Sequence, residues 1–87
     1  MTLKIEMYTK TICQYCDKAK ALLRLKNVSD HLVEYNIERE YSLLKEMLER
    51  SGGRKTVPQI FINGIHIGGC DDLYELEEQN KLDILLK

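Results

Sequence analysis

The chain has 87 residues, with 13 Lys and Arg against 14 Asp and Glu for a net charge of −1, so its length sets one domain, residues 1–87, around one modest core, without room for a second catalytic unit. The near-neutral balance supplies no long-range field for nucleic acid or an anionic membrane, and no segment approaches the roughly 18 consecutive apolar residues of a membrane span. Three cysteines cannot close a set of disulfides, and charges interrupt the apolar residues of Met1–Glu6 with no small-residue cleavage site, so a reducing cytoplasmic setting is expected.

Leu3, Ile5 and Met7 alternate with Lys4 and Glu6, which predicts a strand ending near Tyr8. Thr11 and Gln14 have capping-box spacing, and Cys16, Ala19, Leu22, Leu23 and Lys26 recur at helical spacing up to Asn27, so a helix starts inside the cysteine motif. His31 to Asn36 reads as a second strand. Arg39 to Ser51 reads as a helix with Leu43, Leu44, Met47 and Leu48 on its core face, stopped by Gly52-Gly53. Gln59–Ile62 and Ile65–Ile67 are strands joined by Asn63-Gly64, a strong hairpin signal. A last helix begins at Asp71-Asp72, and a short turn runs to Lys87. The order β-α-β-α-β-β-α implies an α/β fold, a mixed four-stranded sheet flanked by three or more helices.

Cys13-Gln14-Tyr15-Cys16 follows a strand and opens a helix, the context in which a C-x-x-C pair reads as redox. Free backbone N–H groups and the helix dipole favour an anion there, so Cys13 is expected to exist substantially as the thiolate nucleophile. Cys16, at i+3 and deeper in the helix, is placed to resolve a mixed disulfide by forming Cys13–Cys16. Lys10, three residues before Cys13, can add positive charge near the sulfur or receive a substrate carboxylate. A zinc site built from this pair with His66 and Cys70 lacks the usual spacing.

Pro58, the only proline, precedes a strand, where it need not donate to the ladder. A cis Val57–Pro58 bond would also turn the Val57 backbone toward a peptide-like ligand. In Gly68-Gly69-Cys70-Asp71-Asp72, glycines allow close backbone approach, and the Cys70 and Asp71 N–H groups can hold a carboxylate while the Asp71 side chain receives an ammonium. The γ-glutamyl end of glutathione carries both charges on one carbon, which suits such a receptor.

Tyr8-Thr9-Lys10 before Cys13-Gln14-Tyr15-Cys16, then Thr56-Val57-Pro58-Gln59-Ile60-Phe61-Ile62, then Gly68-Gly69-Cys70-Asp71-Asp72-Leu73 together resemble the small bacterial dithiol glutaredoxins over essentially the whole chain. The resemblance implies a thioredoxin fold, a cis-proline at Pro58, and a glutathione groove formed by Lys10, Tyr15, Thr56, Val57, Pro58, Gly69, Cys70 and Asp71. It further implies a monomeric glutathione–disulfide oxidoreductase with no tightly bound cofactor, acting on glutathionylated or disulfide-containing proteins such as ribonucleotide reductase. Some family members instead bridge two subunits with a [2Fe–2S] cluster held by the first cysteine and glutathione. Gln14 stands where the family usually has proline, which bears on redox potential and leaves the cluster reading open as the alternative, with Cys13 as ligand. Gly52-Gly53-Arg54-Lys55 is one residue longer than in similar sequences, so no groove contact is carried over from the preceding helix.

Other residues read as structural. Cys70 is expected to be a small buried hydrophobe, His31 and His66 ordinary surface or strand histidines, Asp17 a solvated first-turn acid, and Lys18, Lys20, Arg24 and Lys26 a solvated helix face.

Overall fold

The computed structural model describes residues 2–87. The elements are β1 Ile5–Thr9, α1 Gln14–Leu25, a 3₁₀ turn Ser29–His31, β2 Leu32–Asn36, α2 Tyr41–Arg50, β3 Gln59–Ile62, β4 Ile65–Gly68, α3 Cys70–Glu78 and α4 Leu82–Leu85. The sheet order is β2-β1-β3-β4. β1 runs parallel to β2 and antiparallel to β3, and β3 is antiparallel to β4, so the mixed four-stranded sheet expected from the element order is present. Asn63 (φ 50°) and Gly64 (φ 82°) both take the positive φ of a type I′ hairpin turn, whose twist matches the strands it joins.

Two apolar layers sandwich the sheet. Ile5, Met7, Ile60 and Ile62 face one way, against Ala19, Leu22 and Leu23 of α1, Cys70 and Leu73 of α3, and Leu82 of α4. Tyr8 and Phe61 face the other way, against Met47 of α2 and Ile37, with Leu43 and Leu44 packed at the edge. All five residues of β1 are buried, because β1 has a strand on each side and a helix over each face.

That burial extends to Glu6. Its polar alternation places it opposite the apolar face, but that face is covered by α2, and Glu6 is only 7 % exposed. Its carboxylate accepts two bonds from Arg50, at 3.0 and 3.1 Å, and one from the Tyr35 hydroxyl at 2.9 Å. Arg50 also donates to the Tyr8 hydroxyl at 2.9 Å, and that hydroxyl donates to Glu46. These bonds compensate the buried charge. Arg50, with the Tyr35 bond, holds the Glu6 carboxyl below the usual carboxylate range against the opposing effect of burial, whereas burial and Glu46 push the Tyr8 phenol up to about 12.

The basic face of α1 is likewise less free than its sequence suggests. Lys26 pairs with Glu77 at 2.7 Å and Asp83 at 2.8 Å, tying the end of α1 to α3 and α4. Lys20 pairs with Asp17 and Glu34.

Candidate active site

α1 does begin inside the cysteine motif, but its N-cap is Cys13, not Thr11. Cys13 is extended, and its Sγ accepts the Cys16 backbone N–H at 3.0 Å, the role a hydroxyl or carboxylate oxygen usually fills. Thr11 faces away from the helix: its N–H donates to Glu38 and its hydroxyl accepts from Asn36. Cys13 and Cys16 form a disulfide with Cα atoms 5.2 Å apart. Cys13 is half-buried, whereas Cys16 is 1 % exposed. Ile12 and Tyr15 flank Cys13 with their side chains in solvent.

Beside the disulfide lies an open cleft of about 300 Å³ lined by Tyr15 on α1, Thr56, Val57 and Pro58 before β3, and Gly69, Cys70 and Asp71 at the start of α3. The Val57–Pro58 bond is cis. Seven of the groove residues read from the sequence therefore meet in one place. Lys10 does not join them; it lines a neighbouring cleft with Thr11, Asn36 and Arg39. Cys70 is buried, and that burial pushes its thiol up.

Two lining residues escape the sequence reading, Arg54 and Asp72. Asp72 accepts the Gly69 N–H at 2.8 Å and meets Arg54 Nη1 at 3.2 Å, so one carboxylate ties both walls of the cleft together. The Gly69 N–H and Arg54 lower the Asp72 pKa against the effect of burial. The spacing from Gly69 to Asp72 is that of an N-cap and its third helical residue, a signal that can be read locally. Arg54 has no such signal. Its backbone is fixed by Ser51, whose Oγ accepts the Arg54 N–H at 3.0 Å and donates to the Arg54 carbonyl at 3.2 Å.

Fold and site together define a thioredoxin-fold protein with a disulfide-forming cysteine pair at a helix N-terminus. The glutaredoxin family model matches residues 5–67. Glutaredoxin 3 of Escherichia coli K12 is 54 % identical over 83 residues, spanning 95 % of this chain and 96 % of that protein. The solution structure of glutaredoxin from Brucella melitensis superposes with a TM-score of 0.81 at 50 % identity, over 97 % of this chain and 88 % of that one. A crystal structure of a buckwheat glutaredoxin–glutathione complex gives a TM-score of 0.82 at 30 % identity, over 97 % and 76 %. The chain belongs to the glutaredoxin family, whose members are thiol–disulfide oxidoreductases.

Proposed function

We propose that the whole chain acts as a single, monomeric glutaredoxin domain in the cytoplasm, reducing protein disulfides and glutathione mixed disulfides at the expense of glutathione. The observation that carries this reading is the cleft beside the cysteine pair, where an acidic helix start and the Thr56-Val57-Pro58 segment converge next to Tyr15. In this reading the Cys70 and Asp71 N–H groups take the γ-glutamyl carboxylate and the Asp71 side chain takes its ammonium. The Thr56 and Val57 backbone pairs with the peptide. The buckwheat complex supports glutathione as the ligand.

The Cys13 thiolate attacks a substrate disulfide. One S–S bond breaks as a new one forms, and the departing thiolate takes up a proton. Where the partner is a protein disulfide, the Cys16 thiolate then displaces the second protein thiol, leaving the Cys13–Cys16 disulfide. Two glutathione molecules reduce that disulfide and leave as glutathione disulfide. A potential of roughly −200 to −230 mV, typical of glutaredoxins, lies close enough to the glutathione pool to drive the cycle reductively. Glutathionylated proteins and reductases that form a disulfide in turnover, ribonucleotide reductase among them, are the substrates this chemistry serves.

The test is glutathione-coupled reduction of a mixed disulfide by wild type, Cys13→Ser and Cys16→Ser, with the visible spectrum of anaerobically purified protein recorded in parallel. Activity abolished in the first variant and partly kept in the second is expected. A coloured [2Fe–2S] dimer with little turnover overturns the proposal in favour of a cluster carrier or sensor with Cys13 as ligand.

A further inference from the structure

We infer that Gln59 and His66 are positioning residues, forming a hydrogen-bond relay, centred on the buried Gln59, from β4 through β3 that holds the Thr56 wall of the cleft where glutathione docks. The inference rests on the glutathione reading of the cleft and adds to it two side chains that do not line the cleft.

Gln59 follows Pro58 and is 0 % exposed. A buried primary amide needs partners for both its ends. Its Nε2 donates to the Thr56 carbonyl at 3.0 Å and lies 3.3 Å from the Thr56 hydroxyl. Its Oε1 lies 2.7 Å from His66 Nε2. Since the donor end of the amide is taken by Thr56, the proton in the second bond belongs to His66, which fixes the ring as its Nε2–H tautomer. Burial, with Arg54 and Arg50 nearby, lowers the His66 pKa against the pull of Asp72, so the neutral ring persists at neutral pH. The ring is held against Phe61, with centroids 4.9 Å apart, and Phe61 in turn carries the Arg50 guanidinium 4.0 Å from its centroid.

A leucine would fill the same space in β3 without reaching Thr56. The amide instead spans from a stacked histidine to a carbonyl of the exposed, cleft-lining Thr56. Gln59 has no exposed surface with which to touch a ligand, so its effect passes through the geometry of Thr56 and Val57.

Steady-state kinetics with a glutathione mixed disulfide, beside dithiothreitol-driven reduction of a protein disulfide that needs no glutathione site, test the relay. Gln59→Met is expected to raise KM for the glutathione substrate about fivefold, the effect of one lost hydrogen bond, with kcat within about twofold of wild type. Gln59→Glu keeps the acceptor for His66 but cannot donate to Thr56, and is expected to behave alike. His66→Gln retains a donor and stays near wild type, whereas His66→Leu shifts toward Gln59→Met. Dithiothreitol-driven rates stay level throughout. An unchanged KM in Gln59→Met, or KM and dithiothreitol-driven rates worsening together, overturns the positioning role. Should Gln59→Met fail to fold, equal KM values for His66→Gln and His66→Leu overturn it instead. Wild type without glutathione-coupled turnover overturns the functional reading itself, and shows this before any variant is compared.

Discussion

The Cys16 backbone N–H donates to Cys13 Sγ across 3.0 Å, so the sulfur that caps the helix is also the one an incoming thiol can reach. Cys16 has almost no exposed surface. In Cys16→Ser protein treated with glutathione disulfide, a single glutathione adduct is expected to accumulate on Cys13, and Cys13→Ser protein is expected to form none on Cys16. Intact mass and peptide mapping check this. A stable adduct on Cys16 reverses the two roles.

The buried Glu6–Arg50 pair predicts a pH dependence. Because the folded Glu6 pKa lies below its ordinary value of 4.5, its stabilisation is complete above that value and is lost as pH falls through the folded pKa. Thermal unfolding of Glu6→Gln between about pH 5 and about pH 3 is expected to fall less steeply than that of wild type. Asp72 and Glu38 are lowered too, so the slope shrinks without vanishing. Arg50→Met removes two charge-assisted bonds and leaves the buried Glu6 carboxylate only the Tyr35 hydroxyl and, at 3.9 Å, the Lys4 ammonium, and is expected to cost about 2 kcal/mol in urea unfolding at neutral pH. Equal acid slopes in wild type and Glu6→Gln refute the assignment.

Gly68 sits at φ 120°, and a Cβ added there would collide with the Asp72 carboxylate. Gly68→Ala is therefore expected to lose about 2 kcal/mol, from backbone strain and displacement of Asp72. It also frees the Gly69 N–H and Arg54, which Asp72 now holds, so a higher KM for glutathione is expected alongside the lower urea midpoint. Wild-type stability in Gly68→Ala counts against the tie between the two cleft walls.

Burial raises the Cys70 pKa above its usual value, with Asp71 adding to the effect and Lys18 opposing it. In the reduced native protein at neutral pH, iodoacetamide is expected to label Cys13 at least about tenfold faster than Cys70. Urea should abolish the difference. Quantitative peptide mass spectrometry over a time course reads both rates, and early labelling of Cys70 in folded protein contradicts its inert, buried role.

The parts of the fold legible in the sequence are those written in neighbouring residues. The Asn63-Gly64 turn, the cysteine pair at a helix start and the Gly69-Cys70-Asp71 helix entry each depend on local backbone chemistry, whereas the meeting of seven groove residues from three separate segments is what the family resemblance implies. What stayed hidden depends on distant partners. Period-two alternation marks Glu6 as polar but does not reveal that α2 covers its face and brings Arg50 to it, 44 residues away in sequence. Arg54 reaches Asp72 across 18 residues, with no spacing rule to announce it. Thr11 fits a capping box, yet Glu38 and Asn36, brought close by the end of β2, claim its polar groups and leave the cap to a sulfur.

The ion pair beneath β1 also bears on strand alignment. With all five residues of β1 buried, apolar burial alone discriminates weakly between the native pairing and one slipped by a single residue, which turns every side chain to the opposite face. In the slipped arrangement Glu6 would enter the layer of Ala19, Leu22, Leu23 and Leu73, where those side chains offer no hydrogen bond, and Arg50 would face Ile5 or Met7. One carboxylate in the central strand thus gives its two otherwise similar faces distinct identities, and misaligned pairing with β2 and β3 carries the cost of a stranded charge.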